Sequence, residues 1–91
     1  MSNLNKKNVI VTGATGGIGS SIVKKLSETG ANIIASGTKV QKLEELKKNF
    51  NNLKILPFDI SQNDKVENFI EQASKELGGN LDWIINNAGV T

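Results

Sequence analysis

The fold of this chain is decided by the segment Asn8-Val9-Ile10-Val11-Thr12-Gly13-Ala14-Thr15-Gly16-Gly17-Ile18-Gly19. Its first five residues form an apolar, β-branched run that is typical of a strand buried on both faces. From Ile18 to Leu26 the apolar residues recur four apart, as they do along one face of a helix. Gly30 stands where the end of that helix needs a positive φ. The segment therefore predicts a strand, a glycine-rich turn and a helix.

The same alternation continues to the end of the sequence. Further strands are predicted at 32–35, 53–58 and 81–85, with helices at 40–50 and 66–77 between them. Strands that alternate with helices of this length predict a parallel sheet with right-handed crossovers. Pro57 cannot donate to a ladder and so places the third strand at an edge or a bulge. The order β-α-β-α-β-α-β thus predicts an α/β, doubly wound sheet with strand order 3-2-1-4, in which the third strand is an edge.

Composition excludes several kinds of site. The 91 residues are enough for one small domain. The chain contains no Cys, His, Tyr or Arg, which excludes thiol chemistry, disulfides and His ligands, and no metal site is expected. Eleven lysines are balanced by nine acids, so no nucleic-acid surface is expected. No apolar stretch suits a signal peptide or a membrane span, and we expect a cytoplasmic protein without a membrane partner.

The glycine turn has the chemistry of a dinucleotide pyrophosphate site. Such a ligand needs backbone N–H donors and the positive end of a helix dipole, with no side chain in the way. We assign Gly13 to the bend after the strand, Gly17 to the close approach of phosphate and Gly19 to the tight contact of helix on strand. The spacing is G-x-x-x-G-x-G, so an ordinary glycine-rich turn remains an alternative. No Lys-Ser or Lys-Thr pair follows the last glycine, which excludes a P-loop.

Two motifs resemble those of the short-chain dehydrogenase/reductase family. Residues 12–19 resemble its T-G-x-x-x-G-x-G turn, and Asn86-Asn87-Ala88-Gly89 resembles its N-N-A-G motif after the fourth strand. Asp59-Ile60-Ser61 joins them after the third strand. The resemblance implies that residues 1–91 are the N-terminal portion of a single Rossmann-type domain that binds NAD(P). Within the family the chain is similar to bacterial 3-oxoacyl-[acyl-carrier-protein] reductases, which reduce a carbonyl in fatty acid synthesis.

The resemblance also implies particular contacts with the cofactor. The backbone of the turn would face the phosphates and the ribose through Gly13, Ala14, Thr15, Gly16 and Ile18. Asp59 would accept a hydrogen bond from the adenine amino group, with the Ile60 backbone alongside, although Asp59 could instead cap the third helix. Asn86, Ala88 and Gly89 would pass under the ribose and the nicotinamide, with Asn87 tying strands together. The amides of that motif could also be purely structural.

The end of the second strand favours NADP over NAD. An NAD site usually has Asp or Glu about twenty residues after the turn. This chain has Ser36, Gly37, Thr38 and Lys39, whose two hydroxyls and one cation could receive a 2′-phosphate that no carboxylate repels. Relatives that bind NADP often have Arg at the places of Gly16 or Thr38. Lys39 is a point charge and lacks the forked donor geometry of an arginine, so a weaker preference for NADP is expected. Its alternative role is that of a solvated charge at the start of a helix.

The catalytic groups of the family are implied to lie outside this chain. The family's proton donor is a Tyr, with a Lys four residues later, an upstream Ser and a supporting Asn, all beyond N-N-A-G. No Tyr is present, so no catalytic residue is assigned and the 91 residues alone are predicted to be inactive. We expect the NADP-binding portion of an oxidoreductase; a non-catalytic dinucleotide-binding or assembly module, such as a truncated gene would yield, is the alternative. The resemblance implies that full-length relatives are homo-oligomers, as tetramers. An uncovered fourth strand predicts that the isolated piece associates.

Overall fold

The computed structural model describes residues 6–50, 53–59 and 62–86. Within them lie four strands, which are β1 (Asn8–Thr12), β2 (Asn32–Ala35), β3 (Leu53–Ile55) and β4 (Trp83–Asn86). The helices are α1 (Gly17–Glu28), α2 (Val40–Lys48) and α3 (Val66–Leu77), and a 3₁₀ turn (Asn63–Lys65) leads into α3. All strand pairs are parallel and the sheet order is β3-β2-β1-β4. The predicted α/β sheet and its strand order are confirmed.

The edge strand β3 is shorter than predicted. It was expected to reach Phe58 and ends at Ile55. Beyond it, the N–H groups of Leu56 and Phe58 still donate to carbonyls on the β2 side, each at 3.0 Å. Alternate residues of an extended strand face the same neighbour, so Pro57 between them faces away from β2. Its missing N–H therefore removes no hydrogen bond from the sheet.

The strand β4 begins later than predicted. It was expected to start at Leu81 and instead runs from Trp83 to Asn86. The residue before it makes a reciprocal contact with β1, because the Asp82 N–H donates to Asn8 O at 2.9 Å and Asp82 Oδ2 accepts from the Asn8 N–H at 2.8 Å. This pair of bonds fixes the register of β4 on β1 at the end of the sheet opposite the glycine turn.

The sheet is covered on both faces. Helices α1 and α2 cover one face, where the buried residues are Val9, Val11, Ala14, Val23, Leu26, Ala31, Ile33, Ala35, Leu43 and Leu53. Helix α3 covers the other face, where the buried residues are Ile10, Ile34, Phe69 and Ala73. The central strands β1 and β2 are thus buried on both sides, as their unbroken apolar runs predict.

Apolar surface remains exposed toward the β4 side of the sheet. Helix α1 buries the face that carries Val23 and Leu26, whereas Ile18, which belongs to the predicted apolar stripe, is 63% exposed. On β4, Trp83 is 48% exposed and Ile84 is 46% exposed. No described element lies beyond β4 in the sheet. In the part of the chain that the structure describes, no helix has the length and apolar character needed to cross a membrane.

Candidate functional site

The glycine turn packs the start of α1 against the end of β1. Gly13 has a φ of 63°, a left-handed conformation that glycine adopts without strain. Gly19 is buried, and a Cβ added to it would lie 2.1 Å from Gly13 O and 2.8 Å from Ala14 Cα. The backbone of α1 therefore packs directly against the backbone of the turn. This is the close contact that was predicted for Gly19, and it lies at the bend that was predicted for Gly13.

The N-terminus of α1 can receive an anion. Its N-cap is Gly16, and its first turn contains no acidic residue. The hydrogen bonds of the helix begin with the Ser20 N–H, which donates to Gly16 O at 2.9 Å. The amides of Gly17, Ile18 and Gly19 therefore have no acceptor within the helix. A Cβ at Gly17 would meet no atom within 4 Å, so a phosphate could approach these amides and the positive end of the helix dipole.

Two of the backbone N–H groups predicted to face the cofactor are used inside the protein. Ala14 is fully buried, and its N–H donates to Ser36 O at 3.0 Å. The N–H of Gly16 is also engaged, since it donates to Gly13 O at 3.4 Å. In this geometry Ala14 offers no amide donor to a phosphate. Its hydrogen bond instead holds the glycine turn against the end of β2.

A cavity of about 250 Å³ lies between the glycine turn, the end of β2 and the segment after β3. The residues that line it are Thr12, Gly13, Thr15, Ser36, Gly37, Thr38, Lys39, Phe58 and Asp59. The structure thus brings together predicted site residues from the carboxyl ends of three neighbouring strands. That edge of a parallel sheet is where open α/β folds bind their ligands. The volume is too small for a whole dinucleotide and suits one end of it.

The residues predicted to receive a 2′-phosphate are divided between the rim and the wall of this cavity. Thr38 and Lys39 are exposed, and Lys39 is also the N-cap of α2. Ser36 is 1% exposed and lies in the wall. A Cβ at Gly37 would lie 3.9 Å from Oγ1 of Thr15. The Thr15 side chain therefore stands beside the end of β2, a placement that sequence reasoning missed because it assigned only the backbone of this residue to the site.

An aromatic residue and a carboxylate border the cavity after β3. The ring of Phe58 stacks on Phe69 with 4.3 Å between centroids and 11° between planes. Asp59, the residue after Phe58, is exposed and also lines the cavity. The Asp59 carbonyl accepts from the Gln62 N–H at 3.0 Å, just before the 3₁₀ turn that leads into α3, so the base contact and the cap role of this residue both stay predictions. Ile60, predicted to flank that contact, lies outside the described residues.

A side-chain hydrogen bond joins β1 to β4 at the same edge of the sheet. Thr12 Oγ1 donates to Asn86 Oδ1 at 3.1 Å and lies 3.4 Å from Ile85 O. The first residue of the N-N-A-G motif is thereby held beside the glycine turn. Asn86 thus ties β1 to β4, and Asn87, for which the same role was predicted, lies outside the described residues. Residues 87–89, which include the predicted contacts of Ala88 and Gly89, lie outside the described residues.

A model of the short-chain dehydrogenase family matches residues 7–91. The chain belongs to this family. Its members are oxidoreductases that use NAD(P) as cofactor. The family assignment accounts for the parallel sheet and for the glycine turn at the end of β1.

Individual short-chain dehydrogenase relatives align along nearly all of this chain. Nodulation protein G of Rhizobium sp. (strain N33) is 38% identical, covering 100% of this chain and 37% of its own length. An uncharacterized oxidoreductase of Staphylococcus saprophyticus is 36% identical over 99% of this chain and 37% of its own length. A crystal structure of a short chain dehydrogenase from Bacillus anthracis shares 29% identity with a TM-score of 0.83, covering 93% of this chain and 35% of that one. The chain spans about a third of the length of these relatives.

The described residues fit the dinucleotide that the family uses. The amides of Gly17 to Gly19 can bind a diphosphate, and the adjoining cavity can hold an adenosine end. A side chain at Gly19 would separate α1 from the backbone of Gly13 and Ala14. The tight contact at Gly19 therefore keeps the amides of α1 beside the cavity.

Proposed function

We propose that this chain is the NADP-binding, N-terminal portion of a carbonyl-reducing short-chain dehydrogenase, and the first part of a single Rossmann-type domain. The observation that supports this is the shared glycine turn, which contains the open amides at the start of α1 and also lines the cavity at the end of β2. A ligand with a diphosphate joined to an adenosine spans both. When bound, the nicotinamide supplies a hydride. The residues of this chain hold and orient the other end of the molecule.

The preference for NADP is supported by the charges around the cavity. No carboxylate is present between Ser36 and Lys39, and Asp59, the acidic residue of the lining, belongs to the segment after β3. Lys39 and Thr38 lie on the rim, where a 2′-phosphate would remain partly solvated. A single lysine attracts phosphate as a point charge, so the preference is weaker than an arginine fork would give.

The proposed substrate is a 3-oxoacyl thioester, because the sequence is similar to 3-oxoacyl-[acyl-carrier-protein] reductases. Reduction of its carbonyl needs a proton donor, and the 91 residues contain no Tyr or His. The chain alone therefore binds cofactor without turnover, and the acid comes from the part of the family's domain that the relatives possess beyond this region.

Calorimetric titration with NADPH and NADH tests the cofactor assignment. NADPH is expected to bind more tightly than NADH. Lys39→Ala is expected to weaken NADPH about fivefold, as the loss of an exposed charge pair does, and to leave NADH within about twofold. Lys42→Ala, which removes a lysine of α2 outside the cavity, serves as the control. Equal losses for the two cofactors would refute the NADP assignment.

A chimera tests the role in catalysis. Residues 1–91 are joined to the C-terminal two thirds of the Bacillus anthracis short chain dehydrogenase, in place of its own first third. The chimera is expected to oxidise NADPH when given a 3-oxoacyl thioester, while the isolated chain does not. If the isolated chain binds NADPH and the soluble, folded chimera reduces no carbonyl compound, the non-catalytic binding module is the better description.

A further inference from the structure

A buried hydroxyl in the cavity wall lacks a hydrogen-bond partner. Ser36 is 1% exposed, and among the described residues its Oγ is the buried side-chain polar atom that no donor or acceptor reaches. An unpaired hydroxyl in a protein interior destabilises the folded state. Such a group in the wall of a ligand cavity points to a partner that arrives with the ligand.

The backbone holds Ser36 in a fixed position. Its N–H donates to Val11 O at 2.8 Å, and its carbonyl accepts from the Ala14 N–H at 3.0 Å. The alternation along β2 directs the side chain to the face of the sheet that α3 covers. Thr12 lies beside it on β1, where its hydroxyl donates to Asn86 Oδ1 and forms no hydrogen bond with Ser36 Oγ. The Ser36 backbone therefore cannot shift to find another partner for Oγ.

The position of Ser36 suits a neutral ring rather than a phosphate. A phosphate at this depth would lose its hydration, and the lysine of the cavity, Lys39, lies on the exposed rim. Phe58, whose N–H donates to Gly37 O at 3.0 Å, lines the same cavity and gives it an apolar residue. A heteroaromatic base can pack against apolar side chains and present an unprotonated ring nitrogen to a hydroxyl.

We propose that Ser36 is a specificity-determining residue for the purine of the dinucleotide, and that its hydroxyl donates to an adenine ring nitrogen. The inference rests on the proposed function, because it needs a dinucleotide in this cavity. This contact requires the buried Oγ to turn about χ1 toward the cavity that Ser36 lines. Ser36 then donates to the base while Asp59 accepts from its amino group. A 6-oxopurine lacks that amino group and places an acceptor opposite the carboxylate.

Thermal unfolding combined with titration tests this role. In the absence of ligand, Ser36→Ala is expected to melt at the same or a higher temperature than the unsubstituted chain, because the unpaired hydroxyl is gone. Its affinity for NADPH is expected to fall about fivefold, as for the loss of one neutral hydrogen bond. Ser27→Ala removes an exposed hydroxyl of α1, which donates to Lys24 O, and is expected to leave the affinity unchanged.

Base analogues identify the acceptor. Adenosine 2′,5′-bisphosphate is titrated beside its 1-deaza, 3-deaza and 7-deaza forms. One of the three is expected to bind the unsubstituted chain about fivefold more weakly than the parent and to bind Ser36→Ala no more weakly. Equal NADPH affinity of Ser36→Ala and the unsubstituted chain, or a loss from Ser36→Ala that no deaza form reproduces, would overturn the inference and leave the proposed function standing. No uptake of NADPH by the unsubstituted chain would refute both.

Discussion

Replacing Gly19 by alanine tests the backbone contact on which the site depends. The added Cβ would lie 2.1 Å from Gly13 O, and an ordinary contact needs at least 3.4 Å, so helix and turn must separate by about 1.3 Å. Rotation of a side chain cannot relieve the clash, because the atoms it meets belong to the backbone of Gly13 and Ala14.

The expected loss of stability is large for a domain of this size. Overpacking of a core costs about 1–3 kcal/mol, and a contact between backbones belongs at the upper end of that range. At about 4–8 °C per kcal/mol for a small domain, Gly19→Ala is expected to lower Tm by about 12–24 °C. Thermal unfolding followed by far-ultraviolet circular dichroism measures the change.

Gly17→Ala is the matched control, two residues earlier in the same helix. Its Cβ meets no atom within 4 Å, and alanine favours the helix by up to about 1 kcal/mol over glycine, so Tm is expected to stay or rise. NADPH binding is nevertheless expected to weaken, because the methyl group lies over the amides that receive the diphosphate. A Gly19→Ala protein that melts within about 3 °C of the unsubstituted chain would refute the packing argument.

Two further substitutions probe the cofactor preference and the open edge of the sheet. Gly37→Asp is expected to fold, because a Cβ there makes only ordinary contacts with Thr15, and to weaken NADPH binding about tenfold by charge repulsion while NADH binding improves; calorimetry measures both. Ile84→Lys places a charge on the exposed edge strand beside Trp83 and is expected to convert associated chains to monomers, as measured by light scattering.

Each of these substitutions has a control of matched shape or exposure. Gly37→Asn adds nearly the same volume without the charge and is expected to retain NADPH; a tenfold loss with Asn as well would attribute the effect to shape. Val40, at 46%, is as exposed as Ile84 but lies on α2. If Val40→Lys dissociates the chains equally well, or if the unsubstituted chain is already a monomer, the edge of β4 does not drive association.

The bounds of β1, β2 and α1 could be predicted from the sequence because each coincides with a local change of pattern. β4 could not, because Leu81 continues the apolar run but packs with the cluster on the α3 face, while Asp82 binds the backbone of Asn8. An apolar run alone does not reveal which of its members enter the ladder. The same ambiguity affects Ile18, whose periodicity suits a core position although no described element covers it.

The geometry of the glycine turn could be predicted from the sequence, whereas the burial of the side chains around the cavity could not. Glycine spacing alone indicated the bend at Gly13 and the contact at Gly19. Ser36 and Thr38 looked equivalent in the sequence, but the pleat of β2 buries one and the path into α2 exposes the other. The hydrogen bond from Ala14 joins residues distant in sequence, so no local pattern could reveal that this amide is already used.

Pro57 makes the two margins of the sheet unequal. Leu56 and Phe58 direct their amides inward, so the outward-facing amides near β3 are those of Leu53 and Ile55, and the first of these already donates to Phe50 O at 3.4 Å. Among the described residues, the N–H of Ile55 is then the remaining outward-facing donor that an added strand would meet at β3. No described element lies beyond β4, where Trp83 and Ile84 are each about half exposed, so within the described part of the sheet β4 is the more accessible edge for an added strand.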